Sequence, residues 1–176
     1  MVLPTEFGNV VRACEAYSLQ VYGVDCIPAW LRLSAVVPQS FQDTINSARA
    51  EVDFFVNLCL LSIALAVLSA ACLLISPLFV HLELDAAVVR RAVAVVAGSV
   101  AGFAAYRFAI MRAHAWGAVV RSAFDLYLPD LAKQLGYELP RTKKARREFW
   151  SDINDMLLDE TPVEPARWPA AGGSKR

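Results

Sequence analysis

The sequence predicts an all-α membrane protein: an antiparallel hairpin of two transmembrane helices extended into the cytosol, with short packing helices at both termini. Three observations carry that reading. Residues 54–80, FFVNLCLLSIALAVLSAACLLISPLFV, run for 27 positions without a charged side chain, enough to cross a hydrocarbon core of about 30 Å as a helix. Residues 92–106 form a second uncharged run of 15 residues between Arg91 and Arg107. Around both runs, apolar side chains recur at spacings of three and four, the period of a helix rather than a strand.

The elements follow in order. Residues 5–22 read as an amphipathic helix, with Thr5 as its N-cap, with Phe7, Val10, Val11, Cys14, Tyr17 and Val21 on one face, and with Gly23 to end it. A turn through Val24 and Asp25 leads past Pro28 into AWLRLSAVV, which stops at Pro38. Within it Trp30 and Arg32 suit either lipid headgroups or a neighbouring helix. Ser40 with Asp43 three residues on suggests a capping box that opens the next helix.

From there Phe41, Ile45, Ala48, Val52 and Phe55 continue without a breaker into the long apolar run, so residues 40–76 are read as one helix whose first third stands outside lipid. Glu51 and Asp53 mark the boundary as a solvated collar. They are two residues apart, so their side chains point in different directions and do not form an acid and base pair. The first span is placed at 54–76 and the second at 88–110, joined by a short turn containing HLELD. The second core is short, but arginine stems can lie along lipid while their heads reach the interface.

Ser62, Ala66 and Ala70 in the first span, and Ala94, Gly98 and Gly102 in the second, form small-residue stripes at four-residue spacing, the pattern that lets membrane helices approach closely. Beyond the second span a stripe from Trp116 to Leu135 holds a helical period and is expected to pack on the stripe at Phe41 to Val52. Pro129 should kink or restart this helix, and Gly136 should end it. A last helix over 142–159 presents Ala145, Phe149, Ile153, Met156 and Leu157 on one side. The domain reading is therefore 1–39 for the N-terminal helices, 40–136 for the long hairpin, 137–160 for the C-terminal helix and 161–176 for a mobile tail rich in proline, glycine and alanine.

Composition narrows the function classes. Lysine plus arginine balances aspartate plus glutamate, 17 against 17, so no global charge argues for nucleic acid as a partner. Cys14, Cys26, Cys59 and Cys72 have no metal spacing, and His81 and His114 lie at opposite ends of the second helical region, so no metal site is expected. No serine has a histidine and an acid arranged around it, and no cofactor motif is present. The chain reads as non-enzymatic, with no catalytic, cofactor or metal residues assigned. Local charge is more informative: RTKKARREF places Arg141, Lys143, Lys144, Arg146 and Arg147 within seven positions, a candidate contact for lipid or a partner. Arg49, Arg107, Arg112 and Arg121 flank the spans on one side and Glu83 and Asp85 lie on the other, with Arg90 and Arg91 opposing. Basic residues favour the cytoplasmic side, which puts both termini there.

The strings PTEFGNVVRACEAY, YGVDCIPAW and VRSAFDLYLPDLAKQLGYELP resemble segments of a family of uncharacterised bacterial membrane proteins with two spans, over most of the chain up to residue 158. That resemblance implies the bacterial inner membrane and implies no substrate. The expected function is a membrane anchor or interaction module whose cytoplasmic helices dock a protein partner or a second copy. The alternative is an oligomeric pore or membrane-perturbing effector.

Overall fold

The computed structural model describes residues 3–75 and 86–159, and Trp168. Among them the structure is helical, with no strand: α1 (Glu6–Tyr22), α2 (Cys26–Val36), α3 (Gln39–Ile75), α4 (Ala86–Gln134) and α5 (Lys143–Asp159). The expected HLELD turn and nearly all of the expected tail lie outside the described residues.

Local chemistry sets the boundaries. The Thr5 hydroxyl accepts from the Gly8 amide and starts α1, and Gly23, at φ 86°, ends it by donating its amide to Leu19 and Ser18. The Asp25 carboxylate accepts from the Ile27 amide and starts α2. The start of α3 differs from the expected capping box. The Pro38 carbonyl already accepts from Phe41 and Gln42, so Ser40 lies inside the helix, where its carbonyl accepts from the Thr44 hydroxyl. The Gln42 amide then reaches back to the Ser34 and Val37 carbonyls, which α2 leaves without helical partners at its end.

α4 runs through Pro129 without restarting. Loss of one amide and a ring clash there costs about 3 kcal/mol, and the buried Leu128, Leu131 and Ala132 around the proline hold the helix in register against that cost. It ends at Gly136, φ 87°. The Tyr137 amide bonds the Ala132 carbonyl and the Gly136 amide bonds the Lys133 carbonyl, the paired bonds of a Schellman end. Thr142 starts α5, its hydroxyl accepting from the Ala145 amide.

The chain divides into two compact units, Met1–Ala48 with His114–Arg176, and Arg49–Ala113. The first has a core of the kind water imposes. Phe149, Trp150 and Ile153 of α5, Leu33 of α2 and Phe124 of α4 are all at most 2% exposed. Burying each of these rings or branched chains stabilises the fold by roughly 2–3 kcal/mol. Trp30 packs on Phe124 with ring centroids 6.1 Å apart, so it faces a neighbouring helix. Phe41 meets Tyr127 edge-on at 5.4 Å, joining the two stripes in the expected way. From beyond α5, Trp168 sets its ring edge on Phe149 at 5.5 Å and donates its indole N–H to Asp152 at 2.9 Å.

The second unit has the opposite distribution. Its buried positions are mostly small, including Ser62, Ala66, Ala105, Ala109 and Ala113, while Leu61, Leu68, Leu74, Val93, Val100 and Phe103 are each at least 60% exposed. Arg112 pairs with Glu51 at 2.9 Å, Phe55 stacks on Phe108 at 5.3 Å, and Gly98 meets Ser62 and Ala66. Partner numbers thus fall along α4 as they rise along α3. Both α3 and α4 are long and apolar enough to cross a membrane, and only 11% of the most apolar stretch of α3 is buried.

Candidate functional site

The tightest contact in the second unit is built from the small-residue stripes. At Gly98 a Cβ would stand 2.8 Å from the Ser62 carbonyl oxygen and 3.1 Å from both the amide nitrogen and the Cβ of Ala66. The two backbones therefore touch there, and only glycine leaves room. Gly102 is less demanding: its nearest neighbour would be the Ile63 Cγ1 at 3.2 Å, a side-chain atom that can turn aside. Ser62, Ala66, Gly98 and Gly102 are thus brought together, and Ala70 and Ala94 are half-buried. In the same segments Asn57 is exposed, and the exposed Ser99 donates its hydroxyl to the Val95 carbonyl of its own helix.

In the first unit, α1 lies along α4. The Cys14 thiol donates to the Gly117 carbonyl at 3.6 Å. Two turns further along α4, the Tyr17 and Tyr22 hydroxyls both donate to the same Asp125 oxygen, at 2.9 and 2.7 Å, and the Arg121 guanidinium sits over the Tyr17 ring, 5.7 Å from its centre. Burial first, and the Asp125 carboxylate second, hold both tyrosine hydroxyls above their usual pKa. Sequence reasoning missed this cluster because its members are about a hundred residues apart. The only local signal was two tyrosines five positions apart near the end of α1.

Cys14 and Cys26 are free and buried. Burial raises the pKa of the Cys14 thiol and pushes that of Cys26 up to about 12, so both behave as inert apolar groups. His114 is exposed, and His81 lies outside the described residues. Among the described residues no group of three histidine, cysteine, aspartate or glutamate side chains could hold a metal ion.

The five basic residues 141, 143, 144, 146 and 147 are all exposed at the start of α5. Arg146 donates its Nε–H to the Pro140 carbonyl at 2.7 Å. The backbone of Arg147 lies over Gly23, where a Cβ would be 3.1 Å from the Arg147 carbonyl oxygen and 3.3 Å from its Cγ. On the same unit Leu19 and Ile27 line a shallow cleft between α1 and α2 with Arg12 and Glu15. Ile27 is 70% exposed and Leu31, one turn on, 76%. No protein-family model, curated protein or solved structure matches the chain.

Proposed function

We propose that the chain is an integral protein of the bacterial inner membrane, without enzymatic activity, that anchors a cytoplasmic helical docking module. Residues 54–76 and 88–110 cross the bilayer as an antiparallel hairpin, and the unit of α1, α2, α5 and the outer parts of α3 and α4 engages a protein partner or a second copy.

The observation that carries this reading is the contrast between the two units. Burial of apolar surface is worth roughly 25 cal/mol per Å2 in water, so a water-soluble fold places leucine and phenylalanine inside, as the first unit does with Leu33, Phe124 and Phe149. The second unit places small residues at its helix contact and large apolar ones outside. That arrangement gains little in water. It suits lipid, where close packing of small residues is what joins helices. A core helix of a soluble protein would be mostly buried, which α3 is not. The exposed Leu19, Ile27 and Leu31 and the basic start of α5 supply the docking unit with apolar and charged contact surface.

Thiol labelling tests both insertion and orientation. In a variant with the four native cysteines replaced by alanine, single cysteines at Glu83 and at Ser174 are treated with a membrane-impermeant maleimide on intact spheroplasts. Labelling at position 83 alone is expected. Labelling at 174 alone overturns the orientation, and release of the chain from membranes by alkaline carbonate overturns the anchor.

A further inference from the structure

We propose that Phe149 and Asp152 of α5, together with Tyr137, form a binding site for a tryptophan side chain, which the chain's own Trp168 fills and from which a partner's tryptophan can displace it. The inference rests on the docking-module reading above and names the side chain that the module recognises.

Trp168 lies beyond the end of α5 at Asp159 and belongs to no helix. Phe124, Phe149 and Trp150 are carried on α4 and α5, whose backbone hydrogen bonds fix where those rings go. Trp168 has no such support, and the prolines at 162, 165 and 169 take amide donors away from the sequence around it. Its placement leans on the contacts of the indole itself.

Those contacts match an indole on two counts. The Trp168 and Phe149 rings meet edge-on, with centroids 5.5 Å apart and planes at 90°, the arrangement in which the positive rim of one ring faces the negative face of the other. The indole N–H donates to Asp152 at 2.9 Å. An aromatic floor beside a carboxylate acceptor suits a ring that is apolar over its faces and carries one N–H at its rim. A phenylalanine in the same place would leave the carboxylate without that donor. Tyr137 closes another side of the floor, edge-on to Phe149 at 5.8 Å. Phe149 is fully buried, whereas Tyr137, Asp152 and Trp168 are only partly so. The site therefore opens at the surface, and the rings around it cover its floor.

The occupant can leave without disturbing what lies beneath. Taking Phe149 or Trp150 from the core would pull on α5 itself, but withdrawing Trp168 breaks no helical hydrogen bond. Asp152 is two turns before Asp159, roughly 10 Å along α5, so Trp168 lies back alongside the helix that precedes it. A group on a tether of roughly nine residues meets its site at a millimolar effective concentration. A modest intrinsic affinity is then enough to keep Trp168 seated, and it still permits exchange with a tryptophan presented from outside.

The test uses the full chain in detergent, labelled with 5-fluorotryptophan and followed by fluorine NMR, with each signal assigned from a single Trp→Phe variant. The probe is an unlabelled peptide with the sequence of residues 160–176. At millimolar concentration it should move the Trp168 signal saturably toward its position in the free peptide while Trp30, Trp116 and Trp150 stay in place. In Asp152→Ala the Trp168 signal should start nearer the free position. A Trp168 signal that does not respond to peptide, or one that moves only together with Trp150, overturns the proposal. A fluorescein-labelled form of the peptide should bind the Trp168→Ala chain at least about tenfold more tightly than the native chain, whose site is filled. Equal binding by both chains overturns the proposal, and so does equal binding of a Trp168→Ala or Trp168→Arg peptide. Release of the chain from membranes by alkaline carbonate would refute the anchor and leave these readings standing, so the two failures are distinguishable.

Discussion

The carbonyl oxygen of Ser62 lies 2.8 Å from the point where a Cβ would stand on Gly98. Real Cβ atoms do not sit that close to a backbone oxygen, so even alanine at position 98 forces the helices apart. Overpacking of this kind costs about 1–3 kcal/mol. Gly98→Ala should therefore lower the thermal midpoint of the detergent-solubilised protein, and Gly98→Leu should lower it further. Gly102→Ala should be nearly silent, because the Ile63 side chain can move. Val100→Leu, at a position 64% exposed, should be silent too. Equal melting of all four variants and the native chain would show that Gly98 is not held by contact with Ser62.

The docking unit depends on α5 in a way its amphipathic pattern only half suggests. Trp150 is 2% exposed and meets Phe149 edge-on at 5.0 Å. Trp150→Ala should cost about 3–5 kcal/mol, enough to melt the unit's helices well before those of residues 49–113 in a circular dichroism scan. Trp168 rests on the outer edge of Phe149 with one bond to Asp152. Trp168→Phe keeps a ring and loses that bond, and it should cost about 1 kcal/mol. A Trp150→Ala protein that melts like the native chain would refute this core.

What was legible in the sequence was what neighbouring residues decide. Thr5, Gly23, Gly136 and Thr142 act on amides within a few positions, so the helix ends could be read nearly to the residue. Period likewise gave the buried stripe of α4 and its meeting with Phe41. The rest depends on three-dimensional neighbours. Trp150 sits one position off the Phe149 and Ile153 stripe, and it is buried because α1 and α2 both pack on α5, widening the covered face. Pro129 read as a break because its cost is local and the packing that offsets it is not. Gly98 and Gly102 look alike in a four-residue repeat, and only the path of α3 makes one a backbone contact and the other a side-chain contact.

Burial makes stability sensitive to alkali. The Cys26 thiol moves from 9.0 to about 12 through burial, and Tyr22 is raised by burial and by its bond to Asp125. Both folded groups keep protons that the unfolded chain has released, so stability falls as pH rises. The contribution of Cys26 is complete below pH 9 and is lost progressively between 9.0 and about 12; that of Tyr22 declines from its ordinary value of 10.0 upward. Thermal melts between pH 8 and 11 should show this decline. Tyr22→Phe should flatten its upper part while Tyr17 still bonds Asp125, and Cys26→Ala should flatten its start. An unchanged slope in both variants would assign the alkaline loss to other groups.

The last question is whether residues 49–113 conduct. A pore needs a continuous polar lining through the apolar layer. Among the described residues, Ser62 and Ser99 do not make one. Ser62 is buried at the Gly98 contact, and Ser99 is turned back onto Val95 of its own helix. The outward positions are Leu61, Leu68, Val93, Val100 and Phe103, so assembling copies around a channel would line it with hydrocarbon. Purified protein in liposomes should therefore leak neither ions nor a small dye above empty vesicles at any protein-to-lipid ratio. Ser62→Ala and Ser99→Ala should change nothing in that assay. Affinity capture from native membranes should recover a specific partner that is lost when Arg146 and Arg147 are replaced by glutamine. Charge substitution is the right probe, because removing α5 would take Phe149, Trp150 and Ile153 from the core and unfold the unit. Single-channel conductance that changes with either serine substitution would refute the anchor and establish a pore.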